Sequence, residues 1–187
     1  MLYKAYESVF SMETLHLDQT AEIRRNLAEL ERTLKVKIKI VGKKVTIEGE
    51  PMNEYEAVQI FEAMGLGFSS REALQLKDED MIFRIIALKD FTRRKDLREV
   101  RARVIGAKGQ TKRVIEEISG CKIVVKEDNL IGIIGHSESI DAAITAITNI
   151  IKGTKQANAY RYLEKMNKIR KENKFLENIK INNKNKK

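Results

Sequence analysis

The chain matches itself. Shifted by 85 residues, positions 30–38 (LERTLKVKI) fall on positions 115–123 (IEEISGCKI), pairing Leu30 with Ile115, Glu31 with Glu116, Lys37 with Lys122 and Ile38 with Ile123. Shifted by 86, positions 46–67 fall on 132–153, pairing Ile47 with Ile133, Gly49 with Gly135, Ala57 with Ala143 and Gly67 with Gly153. The offset changes by one within a hairpin, where a surface turn tolerates an insertion. The 187 residues therefore fold as two small domains, each with its own core.

Each copy reads as strand, helix, helix, strand, strand, helix. In the second, residues 81–88 (MIFRIIAL) have the β-branched apolar content of a strand. Residues 96–105 and 110–119 have helical spacing, and Gly120 stands where a helix C-terminus favours glycine. Residues 121–135 form a hairpin turning at Asp128 and Asn129. A last helix has its apolar face at Ile140, Ile144, Ile147 and Ile151. In the first copy residues 20–34 read as one continuous helix, and the hairpin turns at Gly42 and Lys43. Asn53 and Glu56 suggest a capping box for its last helix, and Ser70 a cap for a short helix between the copies. The fold class is α+β: two tandem units, each a three-stranded antiparallel sheet packed on helices. Their bounds are 1–66 and 81–154, with a linker carrying a short helix at 67–80. Residues 155–187 make a basic C-terminal helix and a polar tail, the end of which (KINNKNKK) is expected to be disordered.

Between the two adjacent helices of the second copy stands Gly106-Ala107-Lys108-Gly109. Two glycines let the backbone turn tightly and let a phosphate or sugar approach without meeting a Cβ. The turn opens into the N-terminus of a helix, whose unpaired N–H groups and positive dipole end favour an anion. Lys108 adds a charge at the tip, Lys112 and Arg113 follow in the first helical turn, and Arg101 and Arg103 precede. A lysine in a helix's first turn opposes the dipole, so Lys112 asks for another role. Val104, Ile105, Val114 and Ile123 are the expected apolar floor beside the loop. In the first copy the same four positions are Ala21, Glu22, Ile23 and Arg24, with no glycine and with a carboxylate inside the loop.

Charge divides the same way. Residues 1–80 carry 11 basic and 15 acidic side chains, residues 81–160 carry 15 and 9, and residues 161–187 carry 10 and 3. A polyanion therefore suits the second part of the chain and not the first.

The element order with a G-x-x-G turn between adjacent helices resembles the type I KH domain, whose GXXG loop clamps about four backbone nucleotides. The resemblance sharpens over roughly residues 65–165. Thr111, Lys112, Ile115 and Glu116 follow the loop, Ile133, Ile134 and Gly135 close the hairpin, and Gly153 precedes the tyrosine-centred AYRYLEK. These features are similar to the second KH domain of the archaeal Partner of Nob One, or Dim-two-like, family of small-subunit ribosome assembly factors. The resemblance implies a non-catalytic factor on the 3′ region of small-subunit ribosomal RNA, beside the Nob One endonuclease. It further implies contacts with translation initiation factor two alpha and the rRNA dimethyltransferase. The first copy departs from the family in lacking G-x-x-G, so it reads as a degenerate KH domain for structural or protein-contact work.

Other classes fit less well. No run of about 18 apolar residues offers a membrane span, and the N-terminus lacks the continuous apolar core of a signal peptide. The single Cys121 forms no internal disulfide and suits a reducing, cytoplasmic compartment. His16 and His136 read as surface or strand-end residues without metal-ligand spacing, and no cofactor is expected. Gln110 after Gly109 excludes a Walker A loop. Glu116 and Glu117 read as a solvated face, and residues 78–80 as an acidic linker. The expected molecule is a monomer and not an enzyme. The alternatives are a general KH protein of mRNA turnover or translation, and a protein scaffold whose basic tail neutralises charge.

Overall fold

In the computed structural model, which describes residues 11–184, the first unit runs to Glu79 and opens with strand β1 (Ser11–His16). Helices α1 (Ala21–Arg25) and α2 (Leu27–Leu34) follow, then strands β2 (Lys37–Val41) and β3 (Lys44–Gly49) and helix α3 (Pro51–Leu66). The strands form one antiparallel sheet in the order β1-β3-β2. Residues 42 and 43 make a two-residue hairpin turn, with Gly42 at a φ of +61°. Ile23, Leu30, Leu34, Val45, Ile47, Ile60 and Phe61 are buried in the first unit. The segment read above as a linker carries helix α4 (Ser70–Ala73) and a 3-10 turn (Leu74–Lys77), both packed on α3.

The second unit has the same order: strand β4 (Met81–Ala87), helices α5 (Leu97–Ile105) and α6 (Gln110–Ser119), strands β5 (Lys122–Val125) and β6 (Leu130–His136), and helix α7 (Ser137–Lys152). Its sheet is antiparallel in the order β4-β6-β5. Helix α8 (Gln156–Lys184) packs back onto α6 and α7. The core joins Val100 and Val104 of α5, Ile115 of α6, Ile123, Ile131 and Ile133 of the sheet, Ile140, Ile147 and Ile151 of α7, and Ala159 and Leu163 of α8.

The repeated residues have physical reasons. Glu116 Oε1 accepts the backbone N–H of Ile123 at 2.8 Å, and Glu31 Oε1 accepts that of Ile38 at 2.8 Å. The aligned Glu–Ile pairs thus tie the second helix of each unit to its edge strand. A hydrogen bond to a charged group contributes about 1.5–3 kcal/mol. The aligned glycines answer to packing. A Cβ on Gly49 would approach Val36 Cγ1 to 2.9 Å, and one on Gly135 would overlap Cys121 Sγ. Val36 and Cys121 are themselves equivalent under the shift of 85. Each glycine lets the last strand lie flat against the residue that opens the second one.

The two units differ most before their second helix. The first passes from β1 to α2 through residues 17–26, the second from β4 to α6 through residues 88–109. In that longer span Asp96 Oδ1 accepts the N–H groups of Arg98 and Glu99 and so starts α5.

Several local expectations are corrected. The helix expected over 20–34 breaks at Asn26, whose amide donates to the Glu22 carbonyl at 3.0 Å and competes with the helical backbone. Helix α3 starts before Asn53, with Pro51 at its first position, where a missing N–H costs nothing. The carboxylate that serves its start is the buried Glu54, which accepts from Gly49 N at 2.8 Å, rather than Glu56. The cap of α4 is Ser69, in a full capping box with Glu72, rather than Ser70. The C-terminal segment expected to be disordered is helical to Lys184, and its last three residues lie outside the described ones. The N-terminal stretch tested for a signal peptide lies largely outside them too, since residues 1–10 are not described.

Burial pushes the Cys121 thiol above its ordinary range, against weaker hydrogen bonding from Ser119 and Ser139. The thiol is expected to resist alkylation in the native protein at neutral pH and to react once it is unfolded, which mass spectrometry after brief iodoacetamide treatment measures. Gly135→Ala is expected to lower stability by about 1–3 kcal/mol through overpacking. Adding Cys121→Ala should recover part of that loss in thermal unfolding, because it removes the sulfur a Cβ would strike.

Candidate nucleic-acid interface

The loop between α5 and α6 has an unusual backbone. Gly106 has φ +76° and ψ 171°, Lys108 has φ 51° and ψ 29°, and Gly109 has φ +75°. Gly106 is required twice: by that conformation, and because a Cβ there would overlap the Thr111 side chain and backbone N. The buried Thr111 seats the first turn of α6 against the loop. Lys108 is a non-glycine residue in a left-handed conformation, at a cost of about 1–2 kcal/mol. It is exposed, so packing does not account for it, whereas a mobile charge at the loop tip does. Ala107 is exposed beside it.

Each helix next to the loop has two flanks. Glu116 reaches β5, and Lys112, one turn earlier, pairs with it at 3.1 Å. This side of α6 therefore faces the sheet edge. On α5, Arg101 Nη1 donates to the Glu127 carbonyl in the β5–β6 turn, so Arg101 and Ile105, one turn on, face that same hairpin. These residues face the hairpin whose first strand carries the partly buried Val125. Lys112 thus lends its flank of α6 a hydrocarbon stem and a charge held by Glu116, which answers the question its position against the dipole raises.

The opposite flank of α6 faces α8, whose first residue also reaches the end of α5. Gln156 Nε2 donates to the Arg103 carbonyl at 3.1 Å, and Asn167 Nδ2 to the Ile118 carbonyl at 3.1 Å. Ile118 lines a cleft with Leu163 and Met166 of α8. Arg103 lies about 200° around the α5 axis from Arg101, and Val114 the same angle from Lys112. Arg103 and Val114 therefore stand on other flanks of their helices than Arg101 and Lys112. Val104 and Ile123 are 0% and 2% exposed, so they support the floor from beneath. Arg113 is exposed on the outer side of α6. Arg101, Ile105 and Lys112 stand on the hairpin-facing flanks beside the loop that carries Ala107 and Lys108, Val104 and Ile123 are buried beneath, and Arg103, Arg113 and Val114 stand at other angles around the two helices.

Sequence reasoning missed Glu116, read as part of a solvated face. The signal was present in the repeat, which pairs it with Glu31. Among the described residues no group of three His, Cys, Asp or Glu side chains could hold a metal ion, and no helix is long and apolar enough to cross a membrane. His16 closes β1, while His136 closes β6 and accepts the Glu138 N–H at the start of α7. The position in the first unit equivalent to the loop is filled by α1, where Glu22 Oε1 accepts from the Ser70 backbone and hydroxyl.

Known proteins resemble this chain in sequence and fold. The family model for the second KH domain of PNO1, described as the eukaryotic type KH-domain (KH-domain type I), matches residues 82–168. A KH domain-containing protein of Methanocaldococcus jannaschii is 30% identical over 143 residues, covering 73% of this chain and 63% of that protein. Among solved structures, Dim2p from Pyrococcus horikoshii OT3 has a TM-score of 0.76 and 33% identity, over 83% of this chain and 99% of that one. A chain of the a/eIF2alpha–aDim2p–rRNA complex from the same organism gives 0.78 and 32%, over 87% and 97%. A protein of unknown function from Aeropyrum pernix gives 0.80 and 26%, over 90% and 97%. With the loop, the repeat and the full-length likeness to Dim2p in agreement, the chain belongs to the archaeal Dim2p (PNO1) family of KH-domain proteins.

Proposed function

We propose that the second unit binds single-stranded RNA in the groove beside residues 106–109, and that its target is the 3′ region of small-subunit ribosomal RNA. The observation that carries this is the loop itself. Three of its four residues have positive φ, its tip presents Lys108, and Arg101 and Lys112 flank it on the hairpin-facing side of the two helices. KH grooves take unpaired bases, because A-form duplex hides its major-groove base edges from side chains. An rRNA end near a processing site supplies such bases. The P. horikoshii aDim2p structure contains rRNA and a/eIF2alpha, which supports the same ligand and that factor as a partner here. The rRNA dimethyltransferase and the Nob One endonuclease are the other proposed partners. The protein does no chemistry itself: occupying nucleotides next to a scissile bond exposes or shields it for the nuclease. The place of action is the cytoplasm. A general role in mRNA turnover or translation is the second reading, and it would use the same loop.

Changing Ala107 and Lys108 together to Asp is expected to weaken RNA binding by at least tenfold while leaving the melting temperature nearly unchanged. Both side chains are exposed, and Asp tolerates the left-handed conformation at position 108. Gly106→Ala should instead destabilise the unit, which separates loop function from loop folding. Footprinting on precursor rRNA should show protection near the 3′ end with wild type and none with the double variant. Even protection along the RNA would favour the general reading.

The exposed Lys165, Lys168, Lys171 and Lys174 of α8 should add affinity that is indifferent to sequence. Deleting 170–187 is expected to flatten the dependence of log K on log salt, by about 0.7 for each phosphate no longer neutralised, without changing which RNA is preferred. Titrations across several salt concentrations measure both.

A further inference from the structure

We infer that the RNA path does not end at the four-nucleotide groove but continues along α5, over a row of arginines, to the basic loop at residues 93–95. The inference rests on the groove reading above and extends it. Ile105, Arg101 and Arg98 stand at i, i−4 and i−7, so they share the flank of α5 that faces the β5–β6 hairpin. Ile105 borders the groove beside the glycine loop. Arg101 is the next rung and uses one guanidinium N–H on the Glu127 carbonyl, leaving others for a ligand. Arg98 is the third rung and is exposed, and Arg93, Arg94 and Lys95 lie just before it in the chain.

Fold stability does not explain this row. Arg98 sits in the first turn of α5, where a cation opposes the helix dipole. Among the described residues, only Arg94 of these four cations has a carboxylate partner, Glu99 at 3.4 Å. Asp96 is engaged with the N–H groups of Arg98 and Glu99, so the helix end itself is not the anion site, and Asp90 stands three residues before Arg93. On the facing hairpin Asp128 lies 3.6 Å from Lys126, and Glu127, whose carbonyl holds Arg101, adds one exposed carboxylate against the five cations of the row. Unpaired cations beside a helix start, in line with a groove that takes a polyanion, fit the phosphates of a strand leaving that groove. Such cations grip the nucleic-acid backbone and respond to its length rather than its sequence.

The test uses the full chain and RNAs cut from the 3′ end of small-subunit rRNA. One is the preferred oligomer of about four nucleotides; two others extend it to about ten, on the 5′ or the 3′ side. The variant is R93E/R98E, which spares the Arg94–Glu99 pair and places at position 98 a carboxylate that favours the helix dipole. Its melting temperature should therefore match wild type. Fluorescence anisotropy should show wild type gaining roughly tenfold or more for one of the longer RNAs over the short one. The variant should lose that gain while binding the short RNA within about twofold of wild type. Its salt slope for the longer RNA should fall by about 1.4, two phosphates at about 0.7 each. If wild type gains nothing from either extension, or the variant keeps the gain, the path along α5 is wrong even though the groove stands. If wild type fails to bind the short RNA, the groove reading falls and this one with it.

Discussion

An edge strand carries N–H groups that its sheet cannot use, and a helix lying across that edge either satisfies them or leaves them to water. Here each unit sends one glutamate, Glu31 or Glu116, from its second helix to the amide of one isoleucine, Ile38 or Ile123, on the edge strand. That bond sets how far the helix stands from the strand. In the second unit it ties α6 to β5 one turn beyond Lys112. The same carboxylate holds Lys112 at 3.1 Å, so one side chain both fixes the helix to the strand and orients a cation beside the loop. The rest of the site is arranged around this brace. Gly135 lets β6 pass Cys121, Thr111 seats α6 against Gly106, and α8 braces α5 and α6 from the side away from the groove.

The same bond shows how far the sequence could be read. Element order, the ends of α6 and the glycine loop were legible because each has a local chemical signature: apolar period, αL glycine, paired glycines. Which flank of α5 or α6 faces the groove was not. Arg103 and Val114 stand within a few positions of Arg101 and Lys112 in the linear sequence. A helix carries such neighbours to opposite sides, and only the placement of β5 on one flank and α8 on the other tells them apart. Caps were misjudged for a related reason. Asn53 has the right residue type, but Pro51 starts the helix earlier and the buried Glu54 reaches back to Gly49.

Electrostatics and packing divide the work within the second unit. Its apolar core draws on the sheet, on α7 and on the first turns of α8, and it includes the neutral thiol of Cys121. The cations stay outside that core, on the hairpin-facing flank of α5, at the loop tip and along the exposed side of α8. A surface built this way repels itself in the absence of a ligand, because several of its members lack carboxylate partners among the described residues. The core therefore has to hold the fold without help from surface ion pairs, most of which contribute about 1 kcal/mol or less in any case.

The difference in span before the second helix has a bearing on descent. Two copies that had merely drifted by substitution could exchange roles again through a few reversions. These cannot. The stretch at 17–26 has no room for a full helix and a glycine loop, and what stands there, α1, is bound through Glu22 to the start of α4. To restore the loop, a lineage would need an inserted helix and a rebuilt contact together. A change of role in the first half therefore asks for an insertion, and point substitutions alone do not supply it.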